Sequence, residues 1–298
     1  MEELNKANLK PVVKWAGGKG QLISTIADYL PLELKENKIE KYIEPFVGGG
    51  AVLFYLLQNY DFKKIVINDL NRDLINLYKI IRDDVEKLIK ELNKISDVYL
   101  DLNEENKKKY YYDIRREFNQ GELDFVVKGA YFIFLNKTCF NGLYRVNSKG
   151  DFNVPHGKYK NPKILDRENL LNLSKALQQI TILNKDFEEI EEEVDEKTFV
   201  YFDPPYRPLN STSSFTSYNS NDFNDSEQIR LANFFKKLDS KGAKLMLSNS
   251  DPKNTDLNDN FFDELYKGYK ILRVKANRNI NSDKGGRGKI NELLILNY

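Results

Sequence analysis

The stretch from Lys41 to Asp69 constrains the fold more than any other part of this 298-residue chain. It holds a strand-like segment, three consecutive glycines (Gly48 to Gly50), the apolar segment Ala51 to Asn59, and a second strand-like run, Lys64 to Asn68, that leads into Asp69. A strand, a glycine turn, a helix, a strand and an acid about twenty residues beyond the glycines form the arrangement that binds an adenosine-containing cofactor, with the acid on the ribose hydroxyls. The stretch therefore predicts an α/β fold with a cofactor site.

The same stretch leaves Asp69 a second role, as the cap of a helix predicted over Leu70 to Ile81, and the two roles are compatible. A glycine triplet is not the Gly-x-Gly-x-x-Gly of dinucleotide enzymes, so a nicotinamide cofactor is disfavoured. The earlier segment Lys14-Trp15-Ala16-Gly17-Gly18-Lys19 permits close backbone approach to a ligand, and a short amphipathic helix is predicted after it, over Gln21 to Leu30. It lacks the full P-loop pattern, which disfavours hydrolysis of nucleoside triphosphates.

A second constraint is the hexapeptide Tyr201 to Tyr206, which reads Tyr-Phe-Asp-Pro-Pro-Tyr. Lys197 to Phe202 suits a buried strand, so Asp203 falls at the carboxyl end, where ligands bind in open α/β sheets. The prolines remove two backbone donors and leave the carbonyls of Asp203 and Pro204 free to face a ligand. The carboxylate, a carbonyl and the Tyr206 ring together match the edge and face of a flipped-out amino base. Taken alone, the motif is equally a proline-rich turn capped by Asp203.

Composition excludes several classes of protein. The apolar runs, of which Ala51 to Leu57 is typical, are far shorter than the roughly 20 residues of a membrane span. No apolar signal segment begins the chain, so we expect a soluble cytoplasmic protein. One cysteine and one histidine cannot form an internal disulfide, a zinc finger or a zinc deaminase centre, and no metal site is predicted. His156, in the turn-like Val-Pro-His-Gly, is predicted to be a surface residue.

Charge is distributed unevenly along the chain although the net charge is only +1. Lys137 to Arg167 holds seven basic and two acidic residues, and Arg273 to Lys289 holds six basic residues and one acid. Asp186 to Glu196 carries eight acids and no base. This asymmetry favours a protein with one face that binds a polyanion and a separate, solvated acidic face.

The middle of the chain interrupts the α/β pattern. Polar helices are predicted from Arg82 to about Gly121, followed by a buried helix over Val126 to Leu135. The segment from Phe140 to Pro162 loses periodicity but keeps asparagine, arginine and aromatic residues, with a hairpin turn at Asn147 to Gly150. Such side chains suit contacts with base edges and insertion into a duplex. We predict one sheet-containing domain over 1–80 and 166–298, interrupted by an inserted module over 81–165.

Several motifs, in this order, give the chain a close resemblance to the Dam-type (D12 class) adenine-specific DNA methyltransferases. They are Lys-Trp-Ala-Gly-Gly-Lys at 14–19, Glu-Pro-Phe-Val-Gly-Gly-Gly at 44–50, Asn-Gly-Leu-Tyr-Arg-Val-Asn at 141–147, Phe-Asn-Val-Pro at 152–155, Asp-Pro-Pro-Tyr at 203–206, Leu-Ser-Asn-Ser at 247–250 and Arg-Gly-Lys-Ile-Asn-Glu at 287–292. Within that family the chain looks most like the DpnII-type modification methylases. The resemblance implies a Rossmann-like, S-adenosylmethionine-dependent methyltransferase sheet with an inserted, mainly helical DNA-recognition domain. It further implies that 1–80 and 166–298 form the catalytic methyltransferase domain and that 81–165 is the target-recognition domain.

The resemblance also implies residue roles. S-adenosylmethionine would be held by Trp15, Lys19, Phe46, Gly48, Asp69, Asp186 and Asp203. Asp186 would lie near the adenine of the cofactor. Asp203, Pro204 and Tyr206 would be catalytic. Double-stranded DNA would be contacted by Lys14, Phe140, Asn141, Leu143, Arg145, Asn147 and Pro155. The implied target is adenine in GATC, and a cognate restriction endonuclease without a stable complex is compatible with this picture.

The implied chemistry is direct transfer of a methyl group to the adenine amine, with Asp203 as a hydrogen-bond acceptor rather than a strong base. Cys139 lacks the preceding proline expected of a cytosine ring-carbon methylase. The residues leave open methylation of the 4-amino group of cytosine, of RNA or of a protein amide. A DNA-binding module without activity is a further alternative, and it would require vestigial cofactor residues.

Overall fold

The computed structural model describes residues 8–207, 223–277 and 289–298, and these contain a mixed seven-stranded sheet. The strands are β1 (Lys41–Glu44), β2 (Lys64–Asn68), β3 (Ile180–Leu183), β4 (Thr198–Phe202), β5 (Lys244–Ser250), β6 (Lys270–Asn277) and β7 (Lys289–Leu296). Their order is β3-β2-β1-β4-β5-β7-β6, and β7 runs antiparallel to both neighbours while β1 to β5 are parallel. The predicted α/β class is confirmed.

The strand order changes direction between β1 and β4. From β1 the chain moves outward through β2 to β3, and it then returns to the other side of β1 with β4 and β5. In open α/β sheets the crevice at the carboxyl ends of the strands at such a switch point is where ligands bind. The glycine triplet follows β1 and Asp203 follows β4, so the two predicted motifs flank this crevice.

Helices cover both faces of the sheet. They are α1 (Ile23–Asp28), α2 (Leu32–Lys35), α3 (Ala51–Asn59), α4 (Arg72–Asp83), α5 (Val85–Asp101), α6 (Glu104–Gln120), α7 (Phe125–Thr138), α8 (Arg167–Leu177), α9 (Asp225–Asp239) and α10 (Phe261–Leu265). The cap of α4 is Asn71, whose side chain accepts a hydrogen bond from Leu74 N, so the alternative that assigned this cap to Asp69 is wrong. Asp69 lies two residues too early to reach the free amides of the first turn.

The strands divide the core between the two faces because successive side chains point in opposite directions. Tyr42, Phe199 and Tyr201 pack with α3, α4 and α8, whereas Ile43 and Val200 pack with α9 and α10. Every residue of β4 is buried, as a central parallel strand requires. Asp203 thus follows a strand that is fixed on both faces and at both edges.

The segment between α4 and α8 contains α5, α6 and α7, followed by an irregular stretch that packs on these helices. Tyr111 Oη donates to the Val154 carbonyl at 2.7 Å, and Asn119 exchanges hydrogen bonds with the backbone of Phe152. The apolar core continues without a break from α4 and α8 into these helices. Residue 81 lies within α4, and the division at 81–165 stays a prediction.

The prediction that His156 is a surface residue is wrong. Its ring is 7% exposed and lies against Tyr99 and Tyr111 of the helices. Its Nε2 is 2.7 Å from Tyr99 Oη, and burial lowers the pKa of the imidazole. A bridge pairs His156 with Cys139 at the end of α7, and the ring fills the core beside α5 and α6 as an aromatic residue would.

The acidic run from Asp186 to Glu196 lies at the surface, where many of its carboxylates form salt bridges, and the solvated acidic face stays a prediction. Its pairs with basic residues are Asp186 with Arg230, Glu189 with Lys185, Glu191 with Lys237 and Lys241, Glu193 with Lys64, and Asp195 with Lys41. Much of the run therefore ties a 3-10 helix (Phe187–Glu193) to its neighbours. None of the helices in the described residues is long and apolar enough to cross a membrane.

Candidate active site

Asp203 stands at the carboxyl end of β4 with two donors on one oxygen. Lys19 Nζ lies 2.6 Å from Oδ1, and Ser248 Oγ donates to the same atom at 3.1 Å. Because both donors meet Oδ1, Oδ2 keeps its lone pairs for a further donor. The side chain is 20% exposed, which leaves a path for a ligand to reach it.

The environment of Asp203 both raises and lowers the pKa of its carboxyl group. Burial raises the pKa of the carboxyl, while the Lys19 ammonium and the Ser248 hydroxyl lower it, and the net direction is upward. Lys19 is itself 3% exposed and also donates to the Gly17 carbonyl at 2.7 Å. The ammonium is thus the local cation that favours the ionised form of Asp203.

The three residues after Asp203 complete the motif. Pro204 is buried, and no donor in the described ranges reaches its carbonyl oxygen. Gln228 Nε2 donates to the Pro205 carbonyl at 3.1 Å, which fixes the turn from the side of α9. Lys19 Nζ lies 4.6 Å from the centre of the Tyr206 ring. The carboxylate, the proline carbonyl and the ring are therefore grouped at one end of β4, as predicted.

Asp69 meets the glycine triplet across the crevice. Its Oδ2 accepts from Gly48 N at 3.0 Å, and its Oδ1 accepts from Asn71 N at 2.8 Å. Burial raises the pKa of Asp69 to about 6, although both backbone donors lower it. A part-buried carboxylate that is already aimed by backbone amides suits the ribose hydroxyls of an adenosine.

Trp15 packs directly on the glycine triplet. Gly48 has φ +47°, and a Cβ there would lie 2.8 Å from Trp15 Cδ1, so a larger residue is excluded. The indole also stacks on Tyr144, with ring centres 5.0 Å apart. Trp15 thus joins the N-terminal segment, the crevice and the segment after α7.

Phe46 and Asp186 lie on the β3 side of the crevice. The Phe46 ring is 5.5 Å from that of Phe187. Asp186 caps the 3-10 helix by accepting from Glu188 N at 3.0 Å, and its Oδ2 is 2.6 Å from the Arg230 guanidinium. Asp186 therefore has structural partners in addition to any ligand.

The predicted DNA-contacting residues fall into two groups. Lys14, Phe140 and Asn141 lie together, because Lys14 Nζ donates to the Asn141 carbonyl at 2.7 Å beside the 3-10 helix Phe140–Gly142. Asn141 has φ 59°, and Phe140 is 53% exposed, so the turn presents an aromatic ring to solvent. Pro155, which is exposed, accepts from Phe140 N at 2.8 Å and holds this turn in place.

The second group lies on the predicted hairpin. A bridge pairs Val146 with Phe152, and Gly150 N donates to the Asn147 carbonyl, which confirms the turn at Asn147 to Gly150. The Asn147 amide oxygen accepts from Lys149 N and Asp151 N, so this side chain builds the turn. Arg145 is exposed, and its Nε donates to Asn153 Oδ1 at 2.8 Å. Leu143 is partly buried against the core.

Three polar residues near Asp203 were missed as site residues. Glu44, which is 2% exposed, accepts from Tyr42 Oη at 2.7 Å, and burial raises its pKa well above the usual range. Ser248 binds Asp203, and Glu292 accepts from Tyr206 Oη at 2.5 Å. The only signal was their position within the motifs that carried the resemblance.

Comparison with known proteins agrees with this geometry. The model of the D12 class N6 adenine-specific DNA methyltransferase family matches residues 15–280. The chain belongs to this family. It is 58% identical over 294 residues (97% of the chain, 99% of the relative) to a protein of Methanocaldococcus jannaschii named type II methyltransferase M.MjaIII.

Two other relatives broaden the comparison. A Lactococcus lactis protein named type II methyltransferase M1.LlaDCHI is 42% identical over 99% of this chain and 97% of its own length. A protein of Escherichia coli K12 named DNA adenine methylase is 34% identical over 95% of this chain and 94% of its own length. The protein is thus an adenine-specific DNA methyltransferase, and the alternatives of cytosine, RNA or protein methylation and of an inactive binding module are set aside. The DpnII-type likeness remains a prediction.

Cys139 is consistent with this class. The thiol is fully buried, and burial raises its pKa to about 12. A buried thiol with a raised pKa is poorly suited to be the thiolate nucleophile that a ring-carbon methylase needs. Among the described residues, no group of three or more His, Cys, Asp or Glu is placed to hold a metal ion.

Proposed function

We propose that this enzyme transfers a methyl group from S-adenosylmethionine to the 6-amino group of an adenine that is extruded from duplex DNA, within the sequence GATC. The observation that carries the proposal is the geometry of Asp203. One carboxylate oxygen is held by Lys19 and Ser248, and the next residue, Pro204, has a carbonyl that accepts from no donor in the part of the chain that the structure describes. Two acceptors at the end of a rigid strand suit the two hydrogens of an amine.

The residues on the other side of the crevice fit the cofactor. Asp69 would accept hydrogen bonds from the ribose hydroxyls, and Phe46 would flank the adenine near Asp186. Trp15 and Gly48 would border the methionine end. When bound, the cofactor supplies a methyl group on a sulfonium, which is already a good leaving group. The residues of the chain then have to place the target amine next to that methyl group in the right orientation.

The adenine amine is a poor nucleophile because its lone pair is delocalised into the ring. Hydrogen bonds from the amine to Asp203 Oδ2 and to the Pro204 carbonyl would favour a pyramidal nitrogen whose lone pair is aimed at the methyl group. Tyr206 would stack on the extruded base. Alignment of this kind contributes several kcal/mol to catalysis.

The assignment of GATC rests on the likeness of Asn141 to Pro155 to the DNA-reading hairpin of Dam-type enzymes. Arg145 is our choice for a guanine contact, since a planar guanidinium can bind both major-groove acceptors of guanine. Lys14 is a second candidate. Phe140 would fill the gap left by the extruded adenine, which offsets part of the unstacking cost. The residues in 81–165 would form the target-recognition domain.

The test is methyl transfer in vitro. The purified chain is incubated with isotope-labelled S-adenosylmethionine and duplexes that contain GATC or a single-base variant of it, and the modified nucleoside is identified by mass spectrometry. We expect labelled N6-methyladenine from GATC alone. Label in another nucleoside, or equal label in the variants, would refute the proposal.

A further inference from the structure

Tyr206 is held at its far end by a residue from a distant part of the chain. Its hydroxyl donates to Glu292 Oε2 at 2.5 Å. Glu292 lies on β7, where its backbone is paired with Ser250 of β5 and Val274 of β6. Pairing on both sides fixes the backbone of Glu292 relative to the sheet, so the side chain that accepts from Tyr206 starts from a rigid strand.

The other end of Tyr206 is fixed by the motif itself. Two prolines precede it, and the Pro205 carbonyl is bound by Gln228. These contacts position the backbone but leave the ring free to turn about its side-chain bonds. Lys19, at 4.6 Å from the ring centre, contacts a face and does not fix the direction of the hydroxyl. Among the residues that the structure describes, the hydrogen bond to Glu292 is the contact that sets the direction of the hydroxyl and hence of the ring.

The electrostatics keep the Tyr206 hydroxyl as the donor and the Glu292 carboxyl group as the acceptor. Burial, together with the nearby carboxylates of Asp203 and Glu292, raises the pKa of Tyr206 well above its usual range, so the hydroxyl keeps its proton. Burial raises the pKa of Glu292, and the Lys19 ammonium and the Tyr206 hydrogen bond oppose that rise. Either protonation state of Glu292 retains an oxygen that can accept from the phenol.

We infer that Glu292 is a positioning residue for the reaction, which holds the Tyr206 ring in the plane where it stacks on the extruded adenine. The inference rests on the proposed function, because it takes the stacking partner from there. Glu292 acts through Tyr206 and does not touch the reacting atoms. A ring held in advance loses less freedom when the base arrives, so the contact lowers the cost of ordering the complex.

The experiment is a double-mutant cycle with the full chain. The variants are Tyr206→Phe, Glu292→Ala and the double variant, and Glu292→Gln tests rescue because its amide oxygen can still accept the hydrogen bond. The measurements are kcat and KM on a GATC duplex, and the fluorescence of 2-aminopurine placed at the target adenine. Thermal unfolding and cofactor affinity report whether each variant keeps its fold.

We expect Tyr206→Phe and Glu292→Ala each to lower kcat/KM by about tenfold, the size expected for a lost hydrogen bond to a charged group. The double variant should be no worse than either single one, because both remove the same contact. Extruded 2-aminopurine should be brighter in these complexes than in the parent, since looser stacking quenches it less. Glu292→Gln should stay near the parent in all three readouts.

The matched control is the pair Tyr131 and Glu117, in which the same hydrogen bond, at 2.9 Å, is exposed and joins α6 and α7. Tyr131→Phe and Glu117→Ala should leave kcat and the fluorescence unchanged. Independent, multiplicative effects of Tyr206→Phe and Glu292→Ala would overturn the inference, as would parent-like turnover of Glu292→Ala. If the parent itself fails to methylate adenine in GATC, it is the proposed function that fails.

Discussion

At the scale of single residues, the site depends on contacts that the sequence does not display. The carboxyl-end position of Asp203 could be predicted from an apolar strand and two prolines. Its partners could not, because Lys19 and Ser248 come from other elements and meet only after the sheet has formed. The prediction that Lys19 holds the cofactor did not include the contact between its ammonium and the Asp203 carboxylate.

Asp203→Ala should abolish methyl transfer while cofactor affinity stays within about tenfold, because the carboxylate acts mainly on the target amine. The measurements are single-turnover transfer and calorimetric titration with the cofactor. The control is Asp97→Ala, which removes an exposed carboxylate on α5 and should leave both values unchanged. Near-normal turnover of Asp203→Ala would show that the carboxylate is not needed.

Asp69→Ala should show the opposite pattern, with weakened cofactor affinity as the main defect. Since burial raises the pKa of Asp69 to about 6, the carboxylate that accepts the ribose hydroxyls is present above that pH and is lost as the pH falls through it. Titrations between pH 5 and 8, a window of roughly one unit below and two above that pKa, should show affinity falling on the acid side for the parent and a flatter profile for Asp69→Ala. An unchanged dissociation constant in the variant would count against the ribose role.

At the scale of elements, the local sequence pattern predicts the bounds of a helix or strand where the segment has a regular periodicity. The predicted bounds of α3 and β2 match the structure, because an apolar helix after glycines and a β-branched run have strong periodic signals. The helix predicted over Gln21 to Leu30 is instead a 3-10 turn followed by the short α1, Ile23–Asp28. Burial of His156 was not predictable, since a turn can pack against helices that its own sequence does not reveal.

The next prediction concerns the hairpin residues that would recognise the DNA sequence. Arg145→Ala should cost roughly 1 to 3 kcal/mol of binding on the cognate site and relax discrimination at one base position, with non-specific affinity nearly unchanged. Lys149→Ala, in the same turn and also exposed, should weaken binding to all duplexes alike. Competition binding with single-base variants measures both. An Arg145→Ala enzyme that rejects every variant as well as the parent does would assign the guanine contact elsewhere.

At the scale of the whole molecule, the net charge of +1 conceals an uneven distribution of acidic and basic segments along the chain. The acids of 186–196 are largely paired within the fold, while Lys158, Lys160 and Lys163 are exposed. Lys163 Nζ forms a salt bridge with Asp166 Oδ2 at 2.7 Å. Of the second basic segment, Arg278, Lys284 and Arg287 lie outside the described residues. Substitution of the exposed lysines in the segment after Pro155 is therefore the better test of DNA binding.

Binding to any duplex should weaken steeply with salt, because neutralised phosphates release counterions. Replacing Lys158, Lys160 and Lys163 by Gln should flatten that salt dependence without changing which sequence is methylated. Replacing Lys38, Lys63 and Lys87, which are exposed and paired with nearby acids, removes the same charge and should leave the slope near that of the parent. Equal slopes for the two triple variants would place the first three lysines away from DNA.

The most direct test of the central claim is sequencing of methylated bases in plasmid DNA from a methylation-deficient host that expresses this chain. We predict N6-methyladenine at the adenine of GATC on both strands, and none in plasmid from cells that express Asp203→Ala at the same level. Methylation mapped to a different motif would contradict the target assignment. Methylation that persists in the Asp203→Ala culture would contradict the proposed chemistry.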